Sequence, residues 1–538
     1  MRIPLLSFVF FCCFLNLSGQ TSSTPVHRET PTQPLQVTLA GGQVITGTGT
    51  AVRLFRGIHY AEAPTGDLRW KPPVPYHILV KTVDATVSGC DCPQTGDTGI
   101  IKSEDCLTLN VFMPALKSAG VLPVMVWIHG GGFQTGSAII EGEGLARQGV
   151  VLVSINYRLG VLGFLAHPGL SQESPHHSSG NYGLLDQIEA LKWVQQNIAS
   201  FNGDPGNVTV FGQSAGATSI AYLLNSPLAE GLFRRAILES PSRLGMPDAH
   251  LSQDHHNLTA METIGLQLGP DITVLRQLPL ARLLELSMNR LGDFMQPGGK
   301  GLQGLRPESH IHFPAATDMP FWVFADGWVV PKDLSLLQEA GRQRAASLLI
   351  GTNADEATIV VQDFPLKTEP AYREYLKQFY SPLAPQFYRL YPAKTAPEIK
   401  QAAERLITDG MFLYGSRELA LAAAQKDTAV YFYRFTHLPA GSSPNLGVYH
   451  GAELRYIFGQ ATVDNEMLNS EQTISKVMMS AWVNFARTGN PNGADVPQWP
   501  AFSRDKEEYL EIGDTTRVRR NMPDAELDEF TRVYKVRK

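Results

Sequence analysis

The sequence has no basic block, only five cysteines, no internal repeat and, beyond its first nineteen residues, no long apolar stretch. Each absence narrows the possibilities. A net charge of −6 without a basic stripe gives a nucleic-acid partner no electrostatic footing. The lack of a second apolar run leaves the mature chain without a membrane span. Without a repeat, an array of short stacked units is excluded. Cys12 and Cys13 lie in the apolar N-terminus, which leaves Cys90, Cys92 and Cys106. Three cysteines without a nearby histidine do not complete a zinc set, so no metal and no cofactor is expected. What the chain does have is 43% hydrophobic and 18% charged residues, the balance of a globular protein with a large core.

Arg2, the apolar run Ile3–Leu17 and the small residues Ser18 and Gly19 have the form of a secretory signal peptide over residues 1–19. The rival, an uncleaved anchor, would need a longer run. Bulky phenylalanines before Cys12 and Cys13 fit a lipoprotein cleavage box poorly. The Ser/Thr/Pro-rich stretch 20–34 reads as a flexible lead-in, and export to a periplasm or to the medium is the expected destination. In such a compartment Cys106 can pair with Cys92 or with Cys90, and the sequence leaves both open. Asn207-Val-Thr209 and Asn257-Leu-Thr259 are glycosylation sequons, meaningful only in a eukaryotic secretory host.

Along the chain, Leu35–Val44 with its Gly41-Gly42 turn predicts an antiparallel hairpin, and Ser103–Val111 a strand with alternating pattern. Val124–Ile128 and Val150–Ile155 are continuous apolar runs, expected for central strands buried on both faces. Between them stands His129-Gly-Gly-Gly-Phe133. Gly180-Asn-Tyr-Gly183 opens a helix with Leu184, Ile188, Leu191, Val194 and Ile198 on one face. Further short strands are expected at Ala236–Leu238, Ser347–Ile350 and Val430–Phe435, with Tyr509–Ile512 as the last edge. Strand, helix, strand in this order predicts parallel βαβ units and an α/β fold. The region from Pro247 to Asp326 reads as an insertion over the strand ends, where such folds bind ligands.

The stretch Asn207–Gly216 organises the rest. A β-branched run turns at Gly212 and Gly216 into an Ala/Thr/Ser segment of helical character. This is the G-x-S-x-G elbow, a strand-to-helix turn too tight for flanking side chains, with Ser214 at its apex.

With Ser103-Glu-Asp-Cys-Leu107, His129-Gly-Gly-Gly-Phe133, Asn156-Tyr-Arg-Leu-Gly160, Gly180–Asp186, Phe211–Gly216, Gly351-Thr-Asn-Ala-Asp-Glu356 and His450-Gly-Ala-Glu453 in the same chain, the sequence strongly resembles the type-B carboxylesterase/lipase family of α/β-hydrolases. That group includes the cholinesterases and bacterial p-nitrobenzyl esterases, and the resemblance covers about Leu35 to Tyr534. It implies a central mostly parallel sheet flanked by helices and, despite the length, a single catalytic domain over 35–538. It also implies a Ser214, His450, Glu356 triad, with Asp355 the only close competitor for the acid, and oxyanion donors at Gly131, Gly132 and Ala215. A salt bridge between Arg69 and Glu104 is implied too, with support roles for Ser242, which would hydrogen-bond the catalytic carboxylate network, for the buried Glu453 and for Gln213. His129, His176, His177, His255 and His256 read as polar loop residues rather than ligands.

Departures from the family pattern bear on the substrate. Gln213 stands where glutamate is usual, which removes a negative charge beside the serine and part of the attraction for cationic esters. The interval Cys92–Cys106 holds no tryptophan, so the aromatic platform for quaternary ammonium is missing there. His59 replaces the usual proline and Pro241 the usual glycine. The implied activity is hydrolysis of uncharged small to medium carboxylic esters through an acyl-enzyme. The alternatives are a narrower lipase, polyester hydrolase or amidase with the same triad, or a non-catalytic adhesion module, against which the complete triad argues.

Overall fold

The computed structural model describes residues 35–77, 80–96, 99–115, 120–242, 257–295, 321–332, 346–359, 361, 366–425, 428–460, 469–520 and 522–536. The expected signal peptide 1–19, the lead-in 20–34 and the pair His255 and His256 lie outside the described residues.

Thirteen described strands form two sheets. The smaller joins β1 (Leu35–Thr38), β2 (Val44–Gly47) and β4 (Thr82–Asp84). β1 and β2 make the expected hairpin, but it belongs to this separate layer, because β2 takes β4 as a parallel partner on its other side. The larger sheet contains β3 (Val52–His59), β5 (Thr108–Pro114), β6 (Leu122–Ile128), β7 (Val151–Ile155), β8 (Gly203–Gln213), β9 (Arg235–Glu239), β10 (Ser347–Asn353), β11 (Val430–Phe435), β12 (Tyr509–Ile512) and β13 (Arg517–Arg519). Its strand order is β13-β12-β11-β10-β9-β8-β6-β7-β5-β3. The run from β12 to β7 is parallel throughout, while β13, β5 and β3 are antiparallel additions at the two ends.

Continuous apolar strands arise because both faces of this sheet are covered. Val124, Val126 and Ile128 of β6 point into one core, and Met125 and Trp127 into the other. The helix Ala215–Leu223 lies over the first face, and the helix Asn469–Thr488 brings Met478, Trp482 and Phe485 to the second. Among the described residues no helix is long and apolar enough to cross a membrane.

Two expectations shift. The strand foreseen over Ser103–Val111 starts only at Thr108 and is buried rather than alternating, since β3 and β7 flank it and its side chains enter the cores on both sides of the sheet. Tyr509–Ile512 is a strand but not the edge; β13 follows it. β13 is exposed and reads Arg-Val-Arg, held by Arg517 and Arg519 pairing with Glu511 of β12, so no apolar alternation announced it.

The helix Tyr182–Asn197 is buried nearly all round, not on one face only, and Ile198 belongs to the 3-10 turn that follows it. Its polar positions are buried because they are used. Both oxygens of Asp186 grip the guanidinium of Arg158 (2.6 and 2.8 Å), and the Arg158 backbone N–H also donates to Asp186 Oδ2. Arg158 reaches the carbonyl of Lys71 as well, which ties the loop before β4 to the core. The expected Arg69–Glu104 pair forms at 2.5 Å, and Arg69 donates further to the carbonyls of Arg276 and Leu278. Cys92 and Cys106 are disulfide-bonded and Cys90 is free, so the open choice falls to Cys92.

Truncating Asp186 to alanine strands a buried guanidinium, which costs about 3–5 kcal/mol. Denaturant unfolding should place Asp186→Ala well below wild type, while the apolar double replacement Arg158→Met with Asp186→Leu recovers much of the loss.

Candidate active site

The elbow joins β8 to the helix Ala215–Leu223 with Ser214 between them, at φ +56° and ψ −123°. A non-glycine residue at positive φ is strained and is kept only where its surroundings force it. Here the force is backbone proximity. A Cβ on Gly216 would stand 2.0 Å from the carbonyl oxygen of Ile128, and one on Gly212 2.5 Å from the same atom. The Ser214 N–H donates to Glu239 O at 2.9 Å, which fixes the turn against the end of β9. Ser214 is half-buried, whereas its neighbours Gln213 and Ala215 are buried.

The loop after β6 passes directly over this turn. A Cβ on Gly130 would approach Ser214 Cβ to 3.0 Å. Gly131 (φ +102°) and Gly132 (φ +61°) reverse the chain, and Gly131 O accepts from the N–H groups of Gln134 and Thr135 at 3.0 Å each. Among the described residues, no partner takes the N–H of Gly131, Gly132 or Ala215, so three backbone donors remain open near the serine. His129, at the start of this loop, is buried against Tyr157 with ring centroids 4.3 Å apart. Burial lowers its pKa to about 4, against the opposing pull of the Gly130 carbonyl, so it stays neutral and out of the open site.

The Glu356 carboxylate, fully buried just after β10, approaches His450 Nδ1 to 2.5 Å with one oxygen and accepts the Asn353 N–H at 2.7 Å with the other. Asp355, the competing acid, faces away and accepts from the Val448 N–H at 2.8 Å. Burial opposes a charge on His450, but the Glu356 charge and hydrogen bond and the Glu453 charge outweigh it, and its pKa is raised. The Phe412 ring lies 4.8 Å from the imidazole, on a π-helical turn (Thr408–Leu413) whose Thr408 hydroxyl accepts the Ala357 N–H at 3.1 Å. One turn thus braces both His450 and the segment that carries Glu356; such bulges are frequent at functional sites.

The second nitrogen of His450, Nε2, has the Gln213 side-chain nitrogen at 3.1 Å. Among the described residues the ring's hydrogen bonds run to Glu356 and Gln213, and the Ser214 hydroxyl is not one of its partners. Glu453 is buried behind the ring. Burial and the Glu356 charge push its carboxyl up to about 7, against the pull of Asn353, whose side-chain nitrogen is 2.5 Å from it.

Ser242, expected to support the carboxylate network, is buried, and its main chain is held by Thr218: its N–H donates to Thr218 Oγ1 at 3.1 Å, and that hydroxyl donates to the Ser242 carbonyl at 3.2 Å. The serine at the end of β9 is Ser240, buried, at φ +50°, with its N–H donating to Gly351 O. Asn353 is the residue that sequence reasoning passed over. It joins the Glu356 turn, the Tyr449 carbonyl and Glu453, and its place three residues before the acid was the available signal. His176 stacks on Trp328 at 3.9 Å, and His177 sits in an exposed turn. Among the described residues no three His, Cys, Asp or Glu side chains gather as a metal set.

Comparison with known proteins bears on this geometry. The model of the carboxylesterase family matches residues 32–530. Fumonisin B1 esterase from Sphingopyxis macrogoltabida is 38% identical, covering 86% of this chain and 83% of its own. Para-nitrobenzyl esterase of Bacillus subtilis (strain 168) is 35% identical, covering 91% and 97%. Liver carboxylesterase 1 of Oryctolagus cuniculus is 32% identical, covering 94% of each. A solved PNB esterase structure superposes with a TM-score of 0.76 at 31% identity, covering 92% of this chain and 99% of the other. The sheet is thus that of an α/β-hydrolase, and the chain belongs to the carboxylesterase family as a type-B serine esterase that hydrolyses esters.

Proposed function

We propose that ester hydrolysis proceeds through an acyl-enzyme on Ser214, with His450 as general base and acid and Glu356 as its orienting carboxylate. The observation that carries this is the 2.5 Å contact between Glu356 and His450 Nδ1, which leaves Nε2 as the basic nitrogen at the elbow. Ser214 Oγ attacks the ester carbonyl carbon while its proton passes to His450 Nε2. The carbonyl oxygen, now an anion, is received by the open N–H groups of Gly131, Gly132 and Ala215; losing one such donor costs about 10²–10³ in turnover. Collapse expels the alcohol, which takes the proton from His450. Water then attacks the acyl-serine by the same route and releases the acid.

The substrates we infer are uncharged small to medium esters. Gln213 leaves the serine without an adjacent carboxylate, and no tryptophan lies between Cys92 and Cys106 to hold a quaternary ammonium group. One relative named above is called a fumonisin B1 esterase, which keeps a narrower ester specificity as the reading to test against. One catalytic domain over 35–538 and export by the segment 1–19 complete the proposal.

Hydrolysis of a p-nitrophenyl ester series from acetate to decanoate tests it. Ser214→Ala should lose about 10⁶ of kcat with an unchanged unfolding midpoint. Retained turnover in that variant would refute the assignment. A protonated imidazole cannot accept the serine proton, so kcat/KM should fall as pH drops through the raised His450 pKa. The acid limb is then expected above the ordinary imidazole value of about 6.5. With Glu453 titrating close by, that limb belongs to the coupled set rather than to one residue.

A further inference from the structure

We propose that Gln213 is a positioning residue for the general base: in the substrate-free protein its carboxamide caps His450 Nε2 and gives it up when the serine reacts. The inference rests on the triad reading above and deepens it.

A neutral imidazole that donates from Nδ1 to Glu356 has one acceptor left, the lone pair on Nε2. The Gln213 side-chain nitrogen stands 3.1 Å from Nε2 and 3.5 Å from Nδ1, so its closer approach is to that lone pair. Gln213 ends β8, directly before Ser214, and is buried, which holds the donor beside the base. Glycines bound the carboxamide on two sides. A Cβ on Gly130 would come within 3.0 Å of Gln213 Oε1, and one on Gly451 within 3.6 Å of Nε2. That space suits an amide that must change its orientation. With its nitrogen toward the ring it donates to neutral imidazole. Turned away from the ring, it leaves Nε2 free to take the serine proton. A glutamate can serve only the charged form, and a methionine neither.

The cap favours the neutral base, because a donor to Nε2 is lost on protonation. The other charges facing the ring act oppositely. Glu356 from the turn after β10 and Glu453 from the loop of His450 itself favour the imidazolium. Asp409, on the π-helical turn that carries Phe412, is engaged by the Tyr391 hydroxyl at 2.9 Å. His129 on the glycine loop is neutral.

The test is the pH profile of kcat/KM on p-nitrophenyl butyrate for Gln213→Met and Gln213→Glu, with unfolding midpoints as a control for folding. Gln213→Glu should move the acid limb up by about one pH unit or more, as a carboxylate within reach of a histidine does. Gln213→Met should move it the same way by less, since the hydrogen bond to the neutral ring is gone. A Gln213→Met limb that stays in place, or moves to lower pH, overturns the cap even if Gln213→Glu shifts, because charge alone would then explain the glutamate. Gln213→Ala repeats the measurement should the methionine variant unfold. Ser214→Ala and His450→Ala separate this from the triad. If both are inactive while Gln213→Met keeps the wild-type limb, only the cap fails. If His450→Ala turns over like wild type, the triad itself fails.

Discussion

The structure depends on one close crossing of backbone: the carbonyl of Ile128 against the α-carbons of Gly212 and Gly216. Because neither position has room for a Cβ, the helix Ala215–Leu223 can begin directly against the end of β6, and the residue between the glycines must take a left-handed bend. The same contact sets the glycine loop over the elbow, since that loop is the continuation of β6. A strained serine and the glycine loop thus come together through packing of the main chain, independent of flexible side chains. Strain held in this way is fixed when the chain folds.

Behind the elbow the problem is electrostatic. Glu239, Glu356 and Glu453 are all buried near the strand ends. Burial, with repulsion from Glu453 and from Glu356 respectively, raises Glu239 and Glu453, and among the described residues neither is bound to an arginine or lysine. Glu356 differs in having two donors, the Asn353 N–H and His450. Two buried carboxyls that resist ionisation thus lie behind a histidine that the Glu356 contact holds toward its charged form.

Much of this was legible in the sequence, for reasons that differ by element. The central strands announced themselves because both faces are buried, which forces runs such as Val124–Ile128 and Val430–Phe435. The elbow and the glycine loop were legible because their glycines answer to steric needs that no other residue meets. Glu356 and His450 lie 94 residues apart, and only motif position joined them. The two serines flanking Pro241 part in the main chain, where the N–H of Ser240 reaches Gly351 and that of Ser242 reaches Thr218, a difference that no pattern in the sequence announces. The π-helical turn left no trace, because one extra residue in a helical ladder scarcely alters an apolar pattern.

The outermost strand, Arg517–Arg519, carries arginines at its two ends, and both lean back onto Glu511 of the neighbouring strand. A foreign β-segment docking along this border would have to strip water from two guanidinium groups and compete with their carboxylate. An open sheet of ten strands is thereby closed to growth by charge rather than by a covering helix, a form of protection against self-association that does not constrain the opposite end of the molecule.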